Sequence, residues 1–490
     1  MSLDAFLHPQ ISSELWALLR TAYGVLLLAT LYGAYRHGRR FFLSERWGGY
    51  AQALPDVELL HNPRAYPIVA AVWFASAAAI TVGRFTVVAS LMNLALCYYF
   101  FVHMRWKGVL RGMGAPGFMT YWCAAATFLM ELTSRHAPQL RSTALLLVQL
   151  DYAFIMLSAG LYKSTAGYLF GTGMELGMVN PMWGYLHRVF GRMSPQNPTF
   201  FVLNQLAWSL EVLAAVLMVI PPLRMWGGLL MVVSFIAIAV KIKLGVLCGM
   251  VIIGGLVFVP PESILNGWLT NWLPQGFADT TAGAPLAAPL AFALAAALWT
   301  YIVALPLAHA GLFYNFYAKR SFAPRVQRAF ERYTNLFGLI IWRVFSADHT
   351  NFFIHVYLRP RDAEEPLVQL SDFGRPRSRF RHVGECITLT SLFTTLKYYP
   401  SDNAIFRERV LRYSRTIPHA LDEVVVFRYF NMRKSAGRFQ CVPVAEFVVD
   451  TSVGTIVERS LEQDFNVRAA SAKSPLRAGA RPGSYVAVGA

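Results

Sequence analysis

Charge is what the first two-thirds of this chain lacks. Residues 1–312 hold 18 Lys/Arg and 11 Asp/Glu, or 9% of positions, where a soluble domain carries about one-quarter. That excludes a string of ordinary soluble domains, the default for 490 residues. Cysteine is scarce and scattered: Cys97, Cys123, Cys248, Cys386 and Cys441 form no C-x-x-C. Neither a disulfide framework nor a zinc site is indicated, and no metal ligand set is assigned. Zinc-finger spacing, an RNP-like aromatic strand and a long basic run are all missing. The net charge of +17 therefore points to anionic lipid and cytoplasmic loops rather than nucleic acid. The N-terminus holds Asp4 and Glu14 and no positive n-region, so no cleavable signal peptide is expected.

What is abundant is apolar sequence, 56% of the chain, with a mean hydropathy of +0.42. Residues 313–490 differ, with 26 Lys/Arg and 16 Asp/Glu, or 24% charged. The expected fold class is an all-α polytopic membrane domain of about nine transmembrane helices, followed by a small soluble α+β domain. The boundaries are 1–313 for the membrane part, 314–335 for a basic interfacial helix, 336–468 for the soluble domain and 469–490 for a disordered tail. A crossing needs roughly 20 mostly apolar residues. The candidates are 14–35, 65–83, 85–103, 117–133, 142–164, 199–220, 225–244, 246–260 and 286–313, of which the seventh and eighth are short enough to form one broken hairpin.

Loop charge sets the direction. Arg36, Arg39, Arg40, Arg46 and Arg64 follow the first span, and Arg105, Lys107 and Arg111 the third. Arg188 and Arg192 follow the fifth, while Lys241 and Lys243 close the seventh. Alternate loops hold only Arg84, Arg135 with Arg141, and Arg224, and the 261–285 loop is acidic (Glu262, Asp279). This bias predicts the N-terminus outside and the C-terminal domain in the cytoplasm. In that domain, 352–358, 366–370, 423–430 and 439–450 have strand character, and 388–398 and 404–416 look helical. The stretch 315–332 reads as a helix lying on anionic lipid.

Ionisable residues inside spans are expensive and mark candidate sites. Arg20 and Asp151 lie at similar depth in the outer halves of spans one and five, so a structural ion pair is expected between them. Glu211 sits mid-span with no obvious partner. Lys163 ends span five, where a lysine ordinarily snorkels to the interface. Before it, Ser158-Ala159-Gly160 allows close helix approach. After it, the Gly- and Pro-rich loop 165–198 cannot be one helix, and non-helical backbone at membrane depth must be covered by protein or line a cavity. A desolvated lysine there could serve as a general base. Glu175, His187 and Arg188 in this loop are read either as site residues or as solvated loop residues.

Ala159-Gly160-Leu161-Tyr162-Lys163, then Tyr168, then Gly171-Thr172-Gly173-Met174-Glu175 resemble the vitamin K-dependent γ-carboxylase-like family, whose bacterial members share a horizontally transferred transmembrane domain. The opening span around Arg20 is similar to that family's arginine-bearing first helix. Trp342-Arg343-Val344-Phe345-Ser346 resembles a motif that follows its last span. The resemblance implies a bacterial cytoplasmic-membrane protein in which Lys163 deprotonates a reduced, vitamin K-like quinone before oxygenation and carboxylation. Tyr162, Tyr168, Met174, Glu175 and His187 would then line the substrate and cofactor pocket. Tyr162 stands where carboxylases carry a second lysine. Two readings remain open: a quinone-dependent carboxylase or oxygenase acting on a peptide or lipid, and a non-enzymatic subunit binding membrane partners, lipid or pigment. For Lys163 to act as a base, no carboxylate should lie within its reach. Glu175 is therefore expected to point away from it. The competing structural reading puts the amine in water or headgroups, or in a salt bridge with Glu175 or Glu211, with no adjacent pocket.

Overall fold

The computed structural model describes residues 3–35, 38–104, 114–274, 276–278, 283–343, 350–363, 367–370, 379–398, 403–435, 437–462 and 486–488. Its membrane part contains α1 (Ser13–Tyr35), α2 (Ala65–Val82), α3 (Thr86–Cys97, continued by a π-helical turn to His103), α4 (Gly114–His136) and α5 (Arg141–Thr165). The short α6 (Met174–Val179) precedes α7 (Pro198–Val219), α8 (Arg224–Lys241), α9 (Val246–Leu256) and α10 (Ala288–Tyr317). Long apolar runs form helices here because a backbone in hydrocarbon must satisfy its own hydrogen bonds. Caps punctuate them. The Asn197 side chain accepts from the Thr199 amide at 3.0 Å with Pro198 in the first turn of α7, and Pro221-Pro222 follow its end.

Each of the nine expected segments contains a helix. Among the described residues seven of these helices are long and apolar enough by themselves to cross a membrane: α1, α2, α3, α5, α7, α8 and α10, so the count of nine is not confirmed by length and composition. The other two fall short of that measure for different physical reasons. α4 has the length but carries Thr120, Thr127, Glu131, Thr133 and Arg135. α9, with 11 residues, rises only about 16 Å and is packed on nearly every side, Leu247, Met250 and Val251 being fully buried. A helix enclosed by protein need not meet the hydropathy or length of one that faces lipid.

After α10, the amphipathic α11 (Pro324–Phe337) folds back, its Phe330 against Gly311 and Phe322. The C-terminal domain is one antiparallel sheet in the order β2-β1-β3-β4-β5-β6. The strands are β1 (Phe352–Pro360), β2 (Val368–Gln369), β3 (Glu423–Ser435), β4 (Arg438–Asp450), β5 (Thr455–Ser460) and β6 (Val486–Val488). β3 and β4 form a long hairpin, in register from Val425↔Val449 to Ser435↔Arg438 with a bulge at Tyr429/Phe430. Helices α12 (Arg379–Tyr398) and α13 (Asn403–Arg415) cover one face, where Phe393 meets Phe406, Phe427, Tyr429 and Phe447. Of the expected tail, 486–488 pair with β5; 469–485 and 489–490 lie outside the described residues, as do Arg36, Arg105, Lys107, Arg111, Asp279 and 344–346 of the tryptophan motif.

This domain sits on one end of the bundle and shares its core. Arg40 Nη1 meets Glu385 Oε1 at 2.6 Å, and Arg412 Nε meets Glu45 Oε2 at 3.4 Å. Asn180 Nδ2 donates to the carbonyls of Thr350 (2.8 Å) and Phe352 (2.7 Å), and the Trp342 amide donates to Ser158 Oγ at 3.2 Å. The loops after α1 and α5, which the charge pattern places on one side, do meet the same domain.

Candidate functional site

The site is built on one face of α7. Phe200, Asn204, Glu211, Ala215 and Met218 are buried along it, at spacings of three, four and seven that keep one stripe of a helix inward. α5 runs against this stripe at close range. A Cβ on Gly160 would lie 2.8 Å from the Trp208 carbonyl and 2.7 Å from Val212 Cγ2, so the small residue allows the approach that the Ser-Ala-Gly run predicts. That contact carries Lys163 inward.

Lys163 does not snorkel. Its side chain is 3% exposed and Nζ donates to Glu211 Oε1. Glu211 is the fourteenth of the 22 residues of α7, roughly 20 Å along the helix by its rise per residue, so the pair lies deep in the bundle. The expectation that no carboxylate approaches Lys163 is therefore wrong. The competing structural reading, a salt bridge from Lys163 to Glu175 or Glu211, is the arrangement found, with Glu211 as the partner. The second oxygen of Glu211, Oε2, is buried and has no hydrogen-bond partner among the described residues.

Beyond Lys163 the chain continues along α7 as turn and short helix. Gln205 Nε2 donates to the carbonyls of Tyr168 (3.3 Å) and Leu169 (3.0 Å), so side chains of α7 serve backbone groups that no helix satisfies. Tyr168 is fully buried, and a Cβ on Gly173 would lie 2.2 Å from its ring. The Met174 amide donates to Asn204 Oδ1 at 2.8 Å. Glu175 points away from Lys163, as expected, and is wholly buried. Its Oε2 accepts from Asn204 Nδ2 at 2.7 Å and from the Gly173 amide at 3.0 Å. Its Oε1 meets Lys434 Nζ of β3 at 2.7 Å.

Two acid–base pairs thus stand along α7, one at Glu211 and one held by Asn204 about two helical turns away: Lys163–Glu211, buried on both sides, and Lys434–Glu175, in which the carboxylate is buried and the lysine partly exposed. Tyr168 lies within electrostatic reach of both carboxylates. Tyr162 is buried but turns toward Phe316 (ring centroids 5.6 Å apart) and the Arg343 guanidinium (5.5 Å). His187 is half-buried, with Nδ1 3.3 Å from the Gly184 carbonyl. Burial and the nearby cations Lys243 and Arg188 outweigh that bond and keep its pKa below the usual imidazole value.

The expected Arg20–Asp151 pair is not made. Arg20 Nη1 lies 3.6 Å from Glu131 Oε1 of α4. Glu131 also accepts from Trp16 Nε1 at 2.8 Å, from Thr86 Oγ1, and from Arg135 Nε at 3.4 Å. Gly83, with φ +83°, ends α2 where a Cβ would lie 2.5 Å from Arg20 Nη2. Asp151 instead faces Trp122 and Tyr121, and its Oδ1 is buried without a partner. Sequence reasoning missed Glu131, Asn204 and Lys434. Glu131 was legible as an ionisable residue in an apolar run, and Asn204 by its spacing of seven from Glu211. Nothing marks Lys434.

The chain matches no family model, no curated protein and no solved structure. What is shown is a membrane protein in outline: several apolar helices of spanning length with a small antiparallel-sheet domain at one end.

Proposed function

We propose that the chain is an integral membrane enzyme that accepts a proton from a lipid-soluble, hydroxyl-bearing substrate at the Lys163–Glu211 pair. The observation that carries this is Glu211 Oε2, a buried carboxylate oxygen with no partner beside a lysine already engaged on the other oxygen. A buried acceptor left unpaired is costly, and a hydroxyl donor would relieve it. A reduced quinone, the class implied by the resemblance at 159–175, would supply such an acidic hydroxyl. Its polar group fits the free oxygen, and Tyr168 and Met174 offer apolar surface nearby. In this reading the roles differ from a simple lysine base. Glu211 Oε2 takes the proton, and the Lys163 ammonium offsets the negative charge left in the site, as a preorganised cation does best away from water. Oxygenation and carboxylation would follow as the resemblance implies, on a peptide or lipid.

The test uses purified protein in nanodiscs and infrared difference spectroscopy on addition of a reduced naphthoquinone. A protonated-carboxyl band should appear in the parent and vanish in Glu211→Gln. Lys163→Met should lower turnover by about 10²-fold or more, the scale of lost electrostatic stabilisation. No carboxyl band in the parent would overturn the reading, and retained cellular function in both variants would leave a non-enzymatic membrane subunit in its place.

A further inference from the structure

Lys434 lies beside the turn of the β3–β4 hairpin, with its side chain 30% exposed. It reaches into the membrane part, where Nζ donates to the Gly171 carbonyl at 3.1 Å and Thr172 Oγ1 at 3.0 Å, and pairs with Glu175 at 2.7 Å. The hairpin is seated by a second contact, Phe439 edge-on to Phe200 of α7 at 5.7 Å. Glu175 itself has no exposure. Its other donors, Asn204 Nδ2 and the Gly173 amide, are neutral, and neutral donors alone do not balance a buried charge. Lys434 is the cation within ion-pair distance of Glu175 among the described residues. The buried lysine along the same face of α7, Lys163, is held by Glu211.

We infer that Lys434 is a positioning residue and the hairpin a lid. The lysine supplies the positive charge that lets Glu175 stay buried and turned from Lys163. Docking of the C-terminal domain and the ordering of 166–179 over the Lys163–Glu211 pair are then one equilibrium. Undocking would strand a buried carboxylate, and the loop must open to hydrate it. This rests on the proposed function only in treating that pair as the site; the coupling stands on the contacts alone.

The experiment is hydrogen–deuterium exchange of the full chain in nanodiscs, reading peptides that cover 166–179 and 431–441. Lys434→Met should raise exchange in both segments by about 10-fold or more, while Lys434→Arg keeps the parent pattern. Adding Glu175→Gln to Lys434→Met should return 166–179 to near-parent protection, because the amide needs no cation. Glu175→Gln alone, which keeps the shape and removes the charge, should loosen 431–441 and leave 166–179 protected, and it serves if Lys434→Met does not assemble. Unchanged exchange in Lys434→Met would overturn the proposal. So would a double variant as open as Lys434→Met, since lost packing rather than lost charge would then be the cause. None of these readings depends on turnover, so they stand apart from the outcome at Lys163.

Discussion

His61 is held in the loop between α1 and α2 at 1% exposure, against the rings of Tyr99 and Phe100 at 5.8 and 5.3 Å. Neither ring nitrogen has a hydrogen-bond partner among the described residues, and burial pushes its pKa down to about 4. The folded value lies below the unfolded one near 6.5, so the neutral ring's contribution is fully present above about pH 6.5 and is lost as pH falls toward 4. At about 1.4 kcal/mol per pH unit over that window, the loss approaches roughly 3 kcal/mol. Thermal stability in detergent should fall between pH 6.5 and 4.5, and His61→Phe should flatten much of that slope; an identical slope in the variant would count against it. Residue identity was legible here in part only. Lys163, Glu211, Arg20 and Asp151 stood out because charge in an apolar run is costly. A bridge from Lys163 to Glu211 was legible as one alternative, but the partner of Arg20 was not, because depth fixes position along a helix and leaves the facing direction open. Glu131 satisfies the same depth argument for Arg20 as Asp151 does, and the structure chooses Glu131.

Between elements, the approach of α5 to α7 decides whether Lys163 reaches Glu211 at all. Two of the three atoms nearest a Cβ on Gly160 are backbone, the Trp208 carbonyl at 2.8 Å and the Val212 amide nitrogen at 2.9 Å, and backbone in a packed helix cannot step aside. Gly160→Ala should therefore destabilise by about 1–3 kcal/mol, the usual cost of overpacking, despite the better helix propensity of alanine. The detergent-solubilised variant should melt several degrees lower; an unchanged or higher melting temperature would show that the helices can part without loss. The small-residue run made this contact readable in the sequence. The apolar lengths of α1, α2, α3, α5, α7, α8 and α10 were equally plain, as were β1, β3 and β4 from their β-branched and aromatic content. α4 and α9 were read as spans too, but their length and composition alone do not confirm it, because an apolar run does not reveal whether protein or lipid surrounds it. β5 was missed because four of the six residues of Thr455–Ser460 are charged or hydroxylated.

At the scale of the whole molecule, the sheet domain is fastened to the end of the bundle that carries the arginine-rich loop after α1 and the loop after α5. Arg40–Glu385 and Arg412–Glu45 tie the first of these, and Asn180 and Glu175 the second. Loop charge alone grouped these segments on one face, and the contacts agree. The same charge bias, with α11 presenting exposed Arg325, Arg328 and Arg332 just after the last span, leads us to propose that this face is cytoplasmic, as the positive-inside rule predicts. Thiol chemistry offers a direct test. Cys97, Cys123, Cys248 and Cys386 are buried, Cys386 donating to the Met182 carbonyl at 3.4 Å, and Cys441 on β4 is exposed. A membrane-impermeant maleimide should leave the chain unlabelled in intact cells and label it once after the membrane is opened, with Cys441→Ser removing the signal. Burial raises the Cys441 thiol pKa above its usual value, so labelling slows as pH falls and is best run at the alkaline end of what the cells tolerate, with a detergent-opened sample as the rate standard. Labelling of Cys441 in intact cells would reverse the assignment. It would place the Lys163–Glu211 pair under a domain on the outer face and the arginine-rich loops against the outer leaflet, and the charge bias would then need a cause other than topology.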